Sequence, residues 1–326
     1  MKIRYLFIGF LCIILFFSCI TNTRKEIVSY DLLVDKSIAE YPDTSFFSEI
    51  RCMQYYNNCI YTMDVSRRDI AVLDTSFNEI RVIGRGGNGP GELTAPISFY
   101  ICADSVYVVD GGTGRISTFL NESYIGSTPI DRALDKRFFY WEGEFFVPQK
   151  SSRGLFLTKF KDRSDSCSYY GDLEKVGNEM RTVTMNGRDL LFAKDCFISV
   201  PDALPFIEKY DIKTKKLIQK YDLSGIEVFK NNIDFILKKD IRSDKSYYVL
   251  TRDSYGIDGH VFLLCSNYGD DYKARTIVRV SLYPEMKVIA TYTLPADFYN
   301  SICVSKTHIY AFNALEAKIE SFRYEF

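Results

Sequence analysis

Histidine and tryptophan are scarce in this 326-residue chain, with only His260, His308 and the single tryptophan Trp141. Two distant histidines, with no Cys-x-x-Cys or His-x-x-x-His spacing beside them, exclude a zinc site of the common type. They also leave no convincing Ser-His-Asp set for nucleophilic catalysis. Strong net charge is missing as well: 41 basic residues face 42 acidic ones, a formal charge of −1, and no block of one sign stands out. That balance argues against a nucleic-acid footprint. Sustained helical periodicity is lacking too. No stretch after the first eighteen residues repeats apolar positions every three to four over about 15 residues. Asn231 to Lys239 is the one short helical candidate.

Cysteine is present nine times but in no recognisable framework. Cys12 lies in the apolar N-terminal stretch, and Cys19 follows it directly. Cys52, Cys59, Cys102, Cys167, Cys196, Cys265 and Cys303 make an odd set, and several sit inside apolar strand patterns such as Val261-Phe-Leu-Leu-Cys265. Most read as buried thiols acting as small hydrophobes. Cys52 and Cys59 flank Asn57-Asn58 and form the best candidate disulfide pair of an exported protein.

What is abundant points to sheet. With 24 tyrosines and 25 phenylalanines, the chain suits pleated, half-buried surfaces. The phrase Val106-Tyr-Val-Val-Asp110 has a counterpart in Ile60-Tyr-Thr-Met-Asp64. Their tyrosines stand about 46 residues apart, close to the length of a propeller blade. Each phrase leads into a further strand, Asp69 to Asp74 and Arg115 to Phe119. Weaker copies begin near Trp141, Asp195, His260 and His308, giving six units of short alternating strands joined by Gly, Asn, Asp or Ser turns.

The run Ile83-Gly-Arg-Gly-Gly-Asn-Gly-Pro-Gly-Glu-Leu93, followed by two strands, resembles one repeat of the NHL type. The chain from about Glu26 to Phe326 thereby resembles the bacterial six-bladed β-propeller lipoproteins with NHL-like repeats. The resemblance implies a single all-β domain over 26–326, with a seven-bladed ring as the main competitor. The last unit ends close to the C-terminus, so it is expected to lack its outer strand. The segment Glu26 to Val34 is expected to supply it, pairing with the last blade and closing the ring against exposed edges.

The N-terminus reads as an export signal over residues 1–18. Lys2 and Arg4 precede an apolar run from Tyr5 to Phe17, about 13 residues and too short to span a bilayer. Phe16-Phe17-Ser18 before Cys19 resembles a bacterial lipobox. That resemblance implies cleavage, lipidation of Cys19 and a short tether over 19–25. Removing Lys2 and Arg4 brings the net charge to about −3. The residues after Cys19 are polar and basic rather than acidic, which favours an outer-membrane anchor facing the periplasm.

Gly84-Arg-Gly86-Gly-Asn-Gly89 also matches G-x-G-x-x-G, but Pro90 follows at once and Pro96 soon after, so no helix can start there to receive a pyrophosphate. A structural linker between blades explains the glycines better. Glu92 is then placed to accept backbone amides or to pair with Arg85 or Arg115. Arg85, Asn88, Glu92, Asp64, Asp110 and Arg115 are the candidate rim or channel contacts. Asp64 and Asp110 read foremost as turn openers. In catalytic propellers, inward carboxylates hold calcium or zinc. The expected function is therefore a non-catalytic binding or scaffold module, without cofactor or metal, for a glycan, peptide or envelope protein, joined to the membrane through its lipid and not to nucleic acid. The alternative is a metal-assisted hydrolase or lyase of the gluconolactonase-like propeller type.

Overall fold

The computed structural model describes residues 27–41, 44–130, 136–151, 153–161, 164–239 and 247–325, with the side chains of 156–167 left aside. Cys19 and the export signal lie outside the described residues, as does the Cys167 thiol. The first two strands of the described residues are β1 (Val28–Asp31) and β2 (Val34–Ile38). Blade 1 is β3 (Ile50–Tyr56), β4 (Cys59–Asp64), β5 (Asp69–Asp74) and β6 (Glu79–Ile83). A two-stranded clasp, β7 (Arg85–Gly86) with β8 (Glu92–Leu93), leads to blade 2: β9 (Pro96–Cys102), β10 (Ser105–Asp110), β11 (Arg115–Leu120) and β12 (Ser123–Pro129). Blade 3 is β13 (Phe139–Trp141), β14 (Glu144–Ser151), β15 (Gly154–Lys161) and β16 (Ser164–Gly171). Helix α1 (Glu179–Met185) precedes blade 4: β17 (Arg188–Ala193), β18 (Cys196–Pro201), β19 (Phe206–Asp211) and β20 (Leu217–Asp222). Helix α2 (Glu227–Leu237) precedes blade 5: β21 (Thr251–Ile257), β22 (His260–Asn267), β23 (Lys273–Ser281) and β24 (Lys287–Thr293). Blade 6 has β25 (Tyr299–Val304), β26 (His308–Asn313) and β27 (Lys318–Arg323).

These sheets form a six-bladed β-propeller, each blade a meander whose first strand lies nearest the axis. Burial follows position in the blade. Second strands are sandwiched between neighbouring blades, so β4, β10, β18 and β26 are almost wholly buried and mostly apolar. The outer strand β12 alternates exposed and half-buried residues, as a strand with one wet face should.

Closure differs in detail from the expectation. The strand completing blade 6 is β2, antiparallel to β27 with Ile38 opposite Ile319, and only its first residue lies inside Glu26 to Val34. The earlier part of that segment forms β1, which adds to blade 5 as a fifth strand, parallel to β24 with Val28 opposite Ala290. Leu32 is buried between the two strands and donates its N–H to the Thr293 carbonyl, so one short turn moves the chain from one blade to the next. The N-terminal segment thus ties two blades together.

Two further corrections concern local structure. The helix foreseen at Asn231 to Lys239 begins earlier, at Glu227, because Val228, Phe229 and Asn232 are the residues it buries. Asn232 bonds the Ser266 carbonyl and the Tyr268 N–H of blade 5. Helix α1 was not foreseen: it has seven residues, is capped by Asn178, and buries none of its residues fully, so it has no amphipathic signature. Cys52 and Cys59 are free thiols, not a disulfide. Cys52 faces Met63 and Cys59 faces Tyr56, four positions and about 13 Å apart along the hairpin. Burial pushes the Cys52 thiol up to about 11, which keeps it protonated and inert. Among the described residues no helix is long and apolar enough to cross a membrane.

Candidate functional site

Asp64 and Asp110 end second strands, and both are fully buried. Asp110 Oδ1 accepts the Ala95 and Gly112 N–H groups, and Oδ2 accepts the Thr94 N–H and the Thr113 hydroxyl. Asp64 repeats this: Oδ1 accepts Ser66 N–H and Arg67 N–H, Oδ2 accepts Ser48 N–H and the Tyr41 hydroxyl. Each carboxylate fastens its own turn to the linker that enters the blade. All four oxygens are thereby engaged, and among the described residues no group of three His, Cys, Asp or Glu is placed to hold a metal.

The glycine-rich linker is strapped in the same way. Glu92 accepts the Gly89 N–H at 2.8 Å and pairs with Arg85 at 2.8 Å. Those two contacts, the amide first, hold its carboxyl below the usual range. Arg115 donates to the Gly89 and Glu92 carbonyls, and Asn88 accepts the Thr94 hydroxyl. Gly87, at φ +153°, leaves no room for a side chain: a Cβ there would stand 2.1 Å from Glu92 Oε2. The six residues singled out from the sequence therefore lie on one face, where inner strands begin and second strands end. Their polar atoms are taken up mainly by the turns and linkers around them.

The cavity opens on the other face. A funnel of about 230 Å³ lies where inner strands end, walled by Tyr55, Tyr56, Tyr100, Phe138, Phe192 and Tyr255. Tyr255 is tied to Tyr55 twice, accepting its N–H at 3.0 Å and donating to its carbonyl at 3.1 Å. Tyr56 and Tyr100, in contrast, have no hydrogen-bond partner for their hydroxyls among the described residues. Burial raises the Tyr100 phenol, so it remains a donor at all physiological pH.

The floor of the funnel is Arg137, which no sequence pattern marked. Blade 3 has a short inner strand of three residues, and the backbone just before it lets Arg137 enter the axis. Its guanidinium meets Asp253 in a two-point pair at 2.7 and 2.8 Å. It also donates to the carbonyls of Met53 and Ile302, so one side chain reaches the inner strands of blades 5, 1 and 6. Asp253 in turn accepts the Ser254 N–H, the Ser301 hydroxyl and the Ile302 N–H. The Arg137 backbone joins blade 4, giving its N–H to Asp189 and its carbonyl to the Leu190 N–H. Burial alone would lower the Arg137 guanidinium, but the Asp253 charge outweighs it and the guanidinium is held above its ordinary value. Asp189, buried beside it, is raised by that burial. The channel is thus plugged by a hydrogen-bonded ion pair rather than lined with free carboxylates.

The comparisons with known proteins agree on architecture. A family model described as a six-bladed β-propeller, DUF5128, matches residues 40–156. No curated protein matches the sequence. Among solved structures, an exported protein of Bacteroides fragilis superposes with a TM-score of 0.59 at 13% identity, over 92% of this chain and 100% of that one. A DUF4221 family member from Bacteroides vulgatus gives 0.58 at 12% identity, over 90% and 97%. Virginiamycin B lyase from Staphylococcus aureus gives 0.52 at 10% identity, over 89% and 98%. At such identities the likeness speaks for the fold alone, and the same ring serves proteins of different activity.

Proposed function

We propose that this chain is an exported lipoprotein, held by Cys19 at the outer membrane with its propeller in the periplasm, that binds a small ligand in the aromatic funnel without transforming it. The observation that carries the reading is the set of six aromatic side chains above a sealed floor, with the hydroxyls of Tyr56 and Tyr100 unpartnered among the described residues. Flat apolar walls with a few convergent polar groups suit a sugar ring or the aromatic side chain of a peptide. The exported Bacteroides propeller supports export of this chain too. The lipid anchor is supported by Ser18-Cys19 after a short apolar run. The metal-assisted alternative finds no free oxygen on Asp64 or Asp110.

The test is a binding screen of the soluble chain starting after Cys19 against an oligosaccharide array and a set of muropeptides. A genuine hit loses roughly tenfold or more in affinity in Tyr100→Ala, as expected when about 1.4 kcal/mol of stacking and hydrogen bonding is removed. A hit whose affinity in both Tyr100→Ala and Tyr56→Ala equals that of the parent would sink the funnel as the site.

A further inference from the structure

One group of exposed apolar side chains lies along a single rim. Ile27, Val28, Tyr30 and Leu33 run along the outer edges of blades 5 and 6, Leu33 being 82% exposed. Leu217 and Ile218 stand exposed on β20, the outer edge of blade 4. Between them lies a groove of about 990 Å³ whose walls include Ile27, Val28, Tyr221, Ile226, Val288 and Ile289. Lys287 and Asp222 both line the groove, and Asp31 and Asp35 are exposed on the N-terminal strands. Strand β1 is exposed at all four residues, so it adds apolar surface to the rim rather than to the core. Other exposed apolar residues, Phe46, Ile80, Ile125, Leu237 and Leu315 among them, are spread singly over the rest of the ring, as is ordinary on a protein surface.

We propose that this rim of blades 4 to 6 rests on the bilayer that holds the anchor, so that the ring stands edge-on to the membrane with both its faces open to solution. The inference rests on the lipid-anchor reading of Cys19. What carries it further is chain length. Eight residues lead from Cys19 to Ile27, and a fully extended chain spans at most about 3.3–3.6 Å per residue, or roughly 27 Å here. Lipid on Cys19 therefore holds Ile27, and the groove it lines, within that distance of the headgroups. Apolar side chains that settle ~5–10 Å into the headgroup boundary add burial to the acyl anchor. The funnel then opens sideways along the membrane, accessible to diffusing ligands.

The experiment uses the full lipidated chain in vesicles of phosphatidylethanolamine and phosphatidylglycerol, with and without brominated acyl chains. In a Trp141→Phe background, single indoles are introduced by Leu33→Trp, Ile218→Trp and Ile125→Trp, the last on the outer strand of the opposite blade 2. Should Trp141→Phe disturb blade 3, the same three substitutions are read over Trp141 as a constant background. All three sites are exposed, so folding is retained. The expected result is a roughly twofold loss of emission in brominated vesicles for Leu33→Trp and Ile218→Trp, since the bromines lie within the depth such a rim reaches, and none for Ile125→Trp. Equal emission at the three sites, in protein that floats with the vesicles, would leave the anchor standing and overturn the docked rim. Protein that fails to float would remove the anchor, and this orientation with it.

Discussion

Replacing Arg137 with methionine removes the guanidinium from the axis and leaves Asp253 buried without its counter-charge. Breaking a buried ion pair by deleting one partner costs about 3–5 kcal/mol. Here Asp253 keeps three other donors, from Ser254, Ser301 and Ile302, which places the cost toward the lower end, about 3 kcal/mol. The carbonyls of Met53 and Ile302 each lose a donor at the same time. For a domain of this size, each kcal/mol lowers the melting temperature by roughly 2 °C, so Arg137→Met is expected to melt about 6 °C below the parent. Calorimetry on the soluble chain reads this directly. The double variant Arg137→Met, Asp253→Leu removes the stranded charge and should recover about half of the loss, because replacing both ions with apolar groups is often close to neutral. An Arg137→Met protein melting within about 1 °C of the parent would refute the idea that the plug fastens the ring. So would a double variant less stable than the single one.

Other expectations follow from the same contacts. Asp110→Ala removes four hydrogen bonds that join a turn to its linker and should cost about 3 kcal/mol in urea titration; a loss below about 1 kcal/mol would contradict that role. Gly87→Ala forces a side chain into a positive-φ position against Glu92, and faster proteolysis of the 84–93 linker, with little change in the rest of the ring, is expected. His260 is held below its ordinary value of 6.5, by burial and then by the Arg279 charge. The unfolded chain therefore binds the extra proton first, and the stability that His260 contributes is complete above pH 6.5 and lost as pH falls through the folded value. His260→Gln should flatten the melting temperature across that acidic window, and an unchanged pH profile would exclude the histidine as its source.

The ring was legible because its second strands are buried on both faces. Val106 to Asp110 and Ile60 to Asp64 must be apolar whichever neighbour they meet, so the pattern survives in sequence. The clamp aspartates were legible for a local reason, since their turn partners lie two or three residues away. Arg137 was not. Its partners stand 84, 116 and 165 residues distant, and nothing in Asp135-Lys-Arg137-Phe-Phe139 indicates an axis. The funnel does leave a trace in the sequence: Tyr55, Tyr100, Phe192 and Tyr255 recur near the end of the inner strand of four blades. The glycine linker is the stronger pattern, because glycines that serve a tight backbone look like glycines that cradle a ligand. The exchange of the N-terminal segment between blades 5 and 6 depends on where one short turn falls, which alternation alone does not fix.

The most direct measurement is hydrogen exchange on the soluble chain with and without the first oligosaccharide or muropeptide found to bind. The funnel account predicts slowed exchange at the inner-strand ends, residues 54–56, 100–102, 190–192 and 255–257. Protection confined to residues 86–95 and 110–115 would place the ligand on the opposite face and contradict it.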